Sequence, residues 1–391
     1  MGLTPSAGRI GQPLKKLKRK IAARVLLTIV LLIVVGPHLA RLPPLRHWCL
    51  RAALPKIEGE VYTGGASFGW FSPVEYRDIT ISARDGAPAI TIPAIRGERL
   101  LWRCALSPRE WGAYVVERPV MYAARTERGL SILEVFPDLS TAPRAAVSTT
   151  VRDGTLIFTG QDGAERWRIE RVNFAFEMDI SPLAEGREIQ CIVRPGLVCD
   201  HTPITPKMCE DLLKFIAPAL AGATKVQGEF SLELDEWHLP SDSILEGRGS
   251  GRLRLHTIDV APGPIIRHIA ETLGLQPSLR LADNTVVSFE LKQGRIYHRD
   301  LAIGLRNFEI RTRGSVGADQ SLDLEAEFRL APGSFDSSPL ALLLQGKTLT
   351  MPIRGTVSQP QFDWQALGLG SAGPLLRTLP RLFSEPPPKN P

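Results

Sequence analysis

The sequence is poor in the residues and spacings that build reactive centres. Its 391 residues include five cysteines and seven histidines. Cys49, Cys104, Cys191, Cys199 and Cys209 form no CxxC pair and have no histidine at ligand spacing, so the usual patterns of a structural zinc are missing. The histidines are scattered and contain no HExxH, and neither a metal nor another cofactor is expected. Gly65-Ala66-Ser67-Phe68-Gly69 spells GxSxG, but a nucleophile elbow needs a helix directly after the serine, and here Pro73 and a strand pattern follow. It reads as a Gly-rich turn between strands. Gly247, Gly249 and Gly251 lead into a strand pattern and lack the Lys-Ser/Thr of a phosphate loop. No catalytic constellation emerges, and the chain is not expected to be an enzyme. A large charge imbalance is also missing. The net charge of +6 comes partly from one amino-terminal cluster, which gives no nucleic-acid signature.

What the sequence has in quantity is two-residue periodicity. Leu322, Leu324, Ala326, Phe328 and Leu330 alternate with Asp323, Glu325, Glu327 and Arg329, which puts the apolar side chains on one face of a strand and the charges on the other. Glu325 and Glu327 therefore belong to a solvated face and receive no acid/base role. Val172, Phe174, Phe176, Met178 and Ile180 repeat the design, as do Phe230, Leu232 and Leu234. Turn chemistry falls at Gln293-Gly294 and Gly314-Ser315, between antiparallel candidates. With 34 Gly and 32 Pro, the composition fits β structure with many turns. Two helical patterns interrupt the strands, Pro206 to Leu220 and Ile265 to Leu275. Cys191 and Cys199 flank Arg194-Pro195-Gly196. A hairpin turning there puts them opposite each other as a possible disulfide, with buried free thiols as the alternative.

The amino terminus is of a different kind. Lys15, Lys16, Lys18, Arg19 and Lys20 precede the apolar run Val25 to Val35. Residues 21–40 supply about the 20 residues a helix needs to cross a bilayer. Pro37-His38-Leu39-Ala40-Arg41 lacks the small residues a signal peptidase reads, so the helix is expected to stay as an anchor. The basic cluster keeps the amino terminus in the cytoplasm and sends the rest across the membrane. The expected organisation is a cytoplasmic segment (1–20), a transmembrane anchor (21–40), an amino-terminal β region (41–139), a middle β region with two amphipathic helices (147–280), a carboxy-terminal β module (281–366), and a capping segment with a disordered tail (367–391). The fold class is mainly β with a few amphipathic helices, a single amino-terminal transmembrane helix being followed by a long, twisted, groove-like antiparallel sheet.

Several stretches carry a family likeness. Gly59-Glu60-Val61, Ala66-Ser67-Phe68-Gly69-Trp70, Val74 to Ile81, Val116-Glu117-Arg118-Pro119 and Glu127 to Leu133 resemble the amino-terminal region of AsmA-like proteins. Gln293 to Tyr297, Ile310 to Gly317, Leu322-Asp323-Leu324 and Met351-Pro352-Ile353-Arg354-Gly355-Thr356-Val357-Ser358-Gln359-Pro360 resemble, in order, their carboxy-terminal module. The chain is shorter than the largest members of that family. The resemblance implies a single-pass protein of the bacterial inner membrane with its bulk in the periplasm, related to chorein-type lipid transfer proteins.

Two functions follow as expectations. In the first, the sheet is an open groove whose apolar floor holds acyl chains of phospholipid or another lipid, assisting lipid transport or outer-membrane biogenesis. An apolar strip this extensive is an aggregation hazard unless something fills it. The lipid-contact candidates are Phe174, Phe176, Met178, Leu232, Leu234, Leu322, Leu324 and Phe328. About fifteen to twenty strands at roughly 4.8 Å each span on the order of 70 to 100 Å, long enough for several acyl chains. In the second, the sheet closes over its own helices, and the protein is a tethered structural or interaction partner in envelope assembly, with envelope proteins as partners. Nucleic acid is not an expected partner in either.

Overall fold

The computed structural model describes residues 24–28, 30–31, 34–54, 57–107, 110–126, 129–135, 146–160, 162–183, 186–240, 246–261, 263, 265, 267, 279–281, 285–305, 308–330 and 348–363. The expected segments 1–20 and 367–391, and most of the helical pattern Ile265 to Leu275, lie outside these residues.

The described chain is mainly β, with two ten-stranded sheets. The first contains β1 (Gly59–Gly69), β2 (Ser72–Ala83), β3 (Pro88–Leu100), β4 (Glu110–Glu117), β5 (Val120–Thr126), β6 (Gly129–Leu130), β7 (Ala146–Thr159), β8 (Glu165–Leu183), β9 (Gly186–Val193) and β12 (Trp237–Pro240). The second contains β10 (Gly196–Pro203), β11 (Val226–Leu234), β13 (Gly249–Val260), β14 (Leu279–Leu281), β15 (Thr285–Lys292), β16 (Arg295–Leu305), β17 (Phe308–Gly317), β18 (Leu322–Leu330), β19 (Leu349–Gly355) and β20 (Pro360–Phe362). Short helices are α1 (Pro43–Ala53), α2 (Leu101–Leu106), α3 (Ser131–Val135) and α4 (Pro206–Asp211).

The sheets are joined through one bent ribbon. Val193 of β9 pairs with Trp237 of β12, and Gly196 of β10 pairs with Leu234 of β11, so the same antiparallel register carries through the break. β9 and β10 are therefore consecutive pieces of one strand, as are β11 and β12. Pro195 lies at the break, where its missing N–H cannot support a ladder. The expected middle region, 147–280, thus does not stand alone. Its β7, β8, β9 and β12 belong to the first sheet, and its β10, β11, β13 and β14 to the second.

The ladders are antiparallel except where β7 runs parallel to β4 and β5. The latter two are again one strand, interrupted at Arg118-Pro119, where Arg118 has φ 49°. The chain leaves the end of β5 through β6 and α3, then begins β7 alongside the start of β4 rather than turning back in a hairpin. Gln293 (φ 52°) and Gly294 (φ 70°) make the expected two-residue hairpin, between β15 and β16. Gly314-Ser315 is not a turn. It lies inside β17, with Gly314 at φ 133° beside the backbone of Asp323 and Leu324.

The helical pattern Pro206 to Leu220 is broken. It forms α4, capped by the Thr205 side chain, which accepts from the Met208 N–H at 3.2 Å, and then two 3-10 turns at Leu213–Phe215 and Pro218–Leu220. Pro218 ends any continuation, and the tighter turns leave Met208, Cys209, Leu213, Ala217 and Leu220 all buried.

Residues 24–28, 30–31 and 34–39 of the expected anchor are helical, and Val25, Leu26, Leu27, Val30, Leu31 and Val34 are exposed, Leu27 at 69%. Among the described residues no helix is long and apolar enough to cross a membrane. The chain then enters α1, and the Arg41 guanidinium donates to the Phe68 carbonyl at 2.8 Å, tying this end of the chain to β1.

Candidate functional site: the apolar faces of the two sheets

The two sheets cover their apolar faces differently. In the second, Leu253, Leu255, Val287, Leu301, Ile303, Ile310, Val316 and Ile353 are essentially sealed. The segment from α4 to Leu220 packs onto them in one continuous cluster. Its position is fixed from both sides. Asp211 accepts from Arg166 Nε at 2.9 Å and from Trp167 Nε1 at 3.0 Å, both on β8, while Lys214 Nζ reaches Gln320 Oε1 at 3.2 Å beyond β17. Lys214 is buried, and its pKa is lowered, chiefly by that burial.

This corrects part of the lipid-contact expectation. Leu322, Leu324 and Phe328 are 4%, 1% and 5% exposed and lie inside this protein-covered core, so they are not the floor of an open groove. Leu232 and Leu234, on β11, are half-buried against the same cluster. On the outer face, Arg313 pairs with Glu325 at 2.8 Å and with Glu327 at 3.3 Å, Arg329 pairs with Glu327 at 2.9 Å, and Arg354 pairs with Asp323 at 2.5 Å. The charged half of the strand alternation is a cross-strand ion-pair ladder.

Of the first sheet, Ala123, Phe158, Trp167, Ile169 and Val172 are buried in that same cluster. A second, smaller buried cluster contains Phe68, Tyr76, Ile79, Ile81, Ile92, Val116 and Val151, with Leu50 of α1 and Val135 of α3 packed among them. Around it Val61, Val74, Ile90, Ile95 and Leu101 stay only partly covered, together with Phe174 and Phe176. The Phe174 and Phe176 rings are stacked with centroids 6.0 Å apart, and Met178 is half-buried beyond them. Phe174 packs against both cores, so the apolar layer is continuous from one sheet to the other. The GxSxG letters lie in β1, where Phe68 is buried and edge-on to Tyr76 at 5.3 Å. Gly251 is on β13, where an added Cβ would meet Phe289 Cζ at 2.7 Å, so packing accounts for that glycine.

The possible Cys191–Cys199 disulfide is excluded by topology. Both lie on the continuous β9/β10 strand, eight positions apart and roughly 26 Å along an extended backbone, because Arg194-Pro195-Gly196 continues the ribbon instead of reversing it. All five thiols are free. Burial raises the pKa of Cys191 to about 11 and that of Cys209 to about 12. Such thiols are poor nucleophiles near neutral pH.

One constellation could not be read from spacing. Asp200 and His201 on β10 and His256 on β13 bring one possible ligand atom each to within 4.8 Å of the others. The two imidazoles are separated by more than fifty positions and meet only because β10 and β13 both flank β11. The Ser231 hydroxyl donates to Asp200 Oδ1 at 2.5 Å and is the main reason the Asp200 carboxyl titrates below its usual range.

No family model matches the chain, and no curated protein matches it either.

Proposed function

We propose that this chain is a membrane-anchored envelope protein that holds acyl chains of phospholipid on the apolar face of its first sheet, assisting lipid transport or outer-membrane biogenesis in the manner of the AsmA-like proteins it resembles. The carrying observation is the contrast between the faces. The second sheet's apolar face is sealed in one cluster with the helical segment and with Phe158, Trp167 and Ile169 of the first sheet, whereas Phe174, Phe176 and Met178 continue a half-exposed apolar layer over the rest of the first. That layer begins beside α1, which follows the exposed apolar helical residues of 24–28, 30–31 and 34–39, so its near end lies close in the chain to the expected anchor. In this reading the chain sits in the bacterial inner membrane with its β body in the periplasm.

Native mass spectrometry of the full chain in mild detergent tests the proposal. Phospholipid retained after delipidating washes is expected, and it should be reduced in Phe176→Asp. A chain free of lipid under every mild condition would contradict the reading.

A further inference from the structure

The apolar face makes no use of the polar cluster on the opposite, solvent side of the second sheet. Three neighbouring strands are irregular at one level. β10 shifts register between Cys199 and Thr202, and β11 shifts against β13 between Gln227 and Glu229. There Gly228 has φ 142°, and an added Cβ would meet the Thr257 carbonyl oxygen at 2.8 Å. His201 (φ 44°) and Thr257 (φ 39°) both occupy left-handed backbone, which a β-branched threonine keeps only where its surroundings enforce it. The result is a shallow concavity lined by His201, Pro203, Gly228, Glu229, His256 and Thr257. In it the two imidazole rings stack 4.3 Å apart at 15°.

The hydrogen bonds assign the protons. His201 Nδ1 lies 2.8 Å from Glu229 Oε2 and donates to that carboxylate, which puts the ring's lone pair on Nε2. Ser231 Oγ spends its proton on Asp200 and accepts the His201 backbone N–H at 3.1 Å. It also lies 2.9 Å from His256 Nε2, which fixes that ring beside Asp200. A carboxylate that holds one nitrogen of a histidine and presents the other is the support that metal-binding histidines use.

We propose that Asp200, His201 and His256 form a binding site for one divalent transition-metal ion, zinc in the first place, with Glu229 and Ser231 orienting the ligands. Two imidazoles and a carboxylate suit zinc and disfavour calcium or magnesium, which take oxygen ligands. Ligand atoms of a tetrahedral zinc lie roughly 3.3–3.5 Å apart. The three ligand atoms lie within 4.8 Å of one another, and His201 and Asp200 are exposed, so small side-chain shifts that keep the Glu229 and Ser231 hydrogen bonds bring them onto one ion. Three protein ligands leave the fourth position to water, and the ion clamps β10 to β13 across β11, next to the bent ribbon that joins the sheets.

The test is a Co2+ titration of metal-stripped full chain in mild detergent, followed by Zn2+. One equivalent of Co2+ should give a d–d absorption band without a thiolate charge-transfer band, and one equivalent of Zn2+ should abolish it. His201→Asn, in which asparagine readily keeps φ positive, and His256→Gln should each weaken binding at least tenfold while far-UV circular dichroism stays unchanged. His201 is 56% exposed, so its variant carries the test even if His256→Gln fails to fold. Absence of the band in the wild-type chain, a thiolate-type spectrum, or a band that survives His201→Asn would each overturn the site.

Discussion

Replacing Leu324 by Asp separates a sealed core from a floor open to lipid. Leu324 is 1% exposed on β18, paired with Gly314 on one side and Ile353 on the other, both in the same sheet. Losing the leucine forfeits about 1.5–3 kcal/mol of burial. Placing an unpaired carboxylate there costs several kcal/mol more, whether it stays charged or takes up a proton. Together these approach the whole 5–15 kcal/mol that holds a typical domain. Leu324→Ala isolates the packing part, at about 2–5 kcal/mol. Asp323→Ala, one residue earlier on the ion-pair face and 61% exposed at the side chain, should cost at most about 1 kcal/mol. Thermal unfolding of the full chain, followed by circular dichroism in mild detergent, reads all three. The expected order is a near-wild-type melt for Asp323→Ala, a clear loss for Leu324→Ala, and a fall of about 10 °C or more, or no cooperative transition, for Leu324→Asp. A Leu324→Asp chain melting within a few degrees of wild type would refute the claim that the second sheet is closed by protein.

Phe176→Asp, on the half-covered face, should keep a cooperative melt while losing most retained phospholipid, measured by native mass spectrometry. His298 is 1% exposed and its pKa is pushed down by burial to about 4, below the ordinary value near 6.5. The unfolded chain therefore binds the proton first, and stability present above pH 6.5 should fall as the pH drops towards 4, by about 3 kcal/mol in all. Urea titrations across that window should show this slope, and it should flatten in His298→Gln. In denaturant without reductant, all five thiols should react with a maleimide, whereas two protected thiols would reinstate the disulfide. A reporter active only in the cytoplasm should be silent when fused after Pro391 if, as proposed, the basic cluster at Lys15 to Lys20 holds the amino terminus inside.

The strands themselves were legible because alternation is local: Leu322, Leu324, Ala326 and Phe328 point inward and Asp323, Glu325 and Glu327 outward, as their order along the chain requires. What the alternation does not carry is the identity of the material on the dry side. Leu324 and Phe176 look alike in the sequence, yet one is sealed in the cluster that also holds Leu213, more than a hundred residues away, and the other is half-exposed. The reading of Arg194-Pro195-Gly196 as a hairpin failed for the same reason. Those residues favour a turn, but the register imposed by β11 and β12 keeps them extended. The His201–His256 pair leaves no trace in spacing, since it depends on aligned bulges in three strands.

The proposed function puts lipid on the inner face of the first sheet. Phe176 and Glu177 are neighbours on β8 that point to opposite faces, so a photo-crosslinking residue at each position samples both sides of the sheet at one distance from the membrane. After illumination in cells, mass spectrometry should find phospholipid adducts at position 176 and none at 177. Equal labelling at the two positions, or none at 176, would contradict the account.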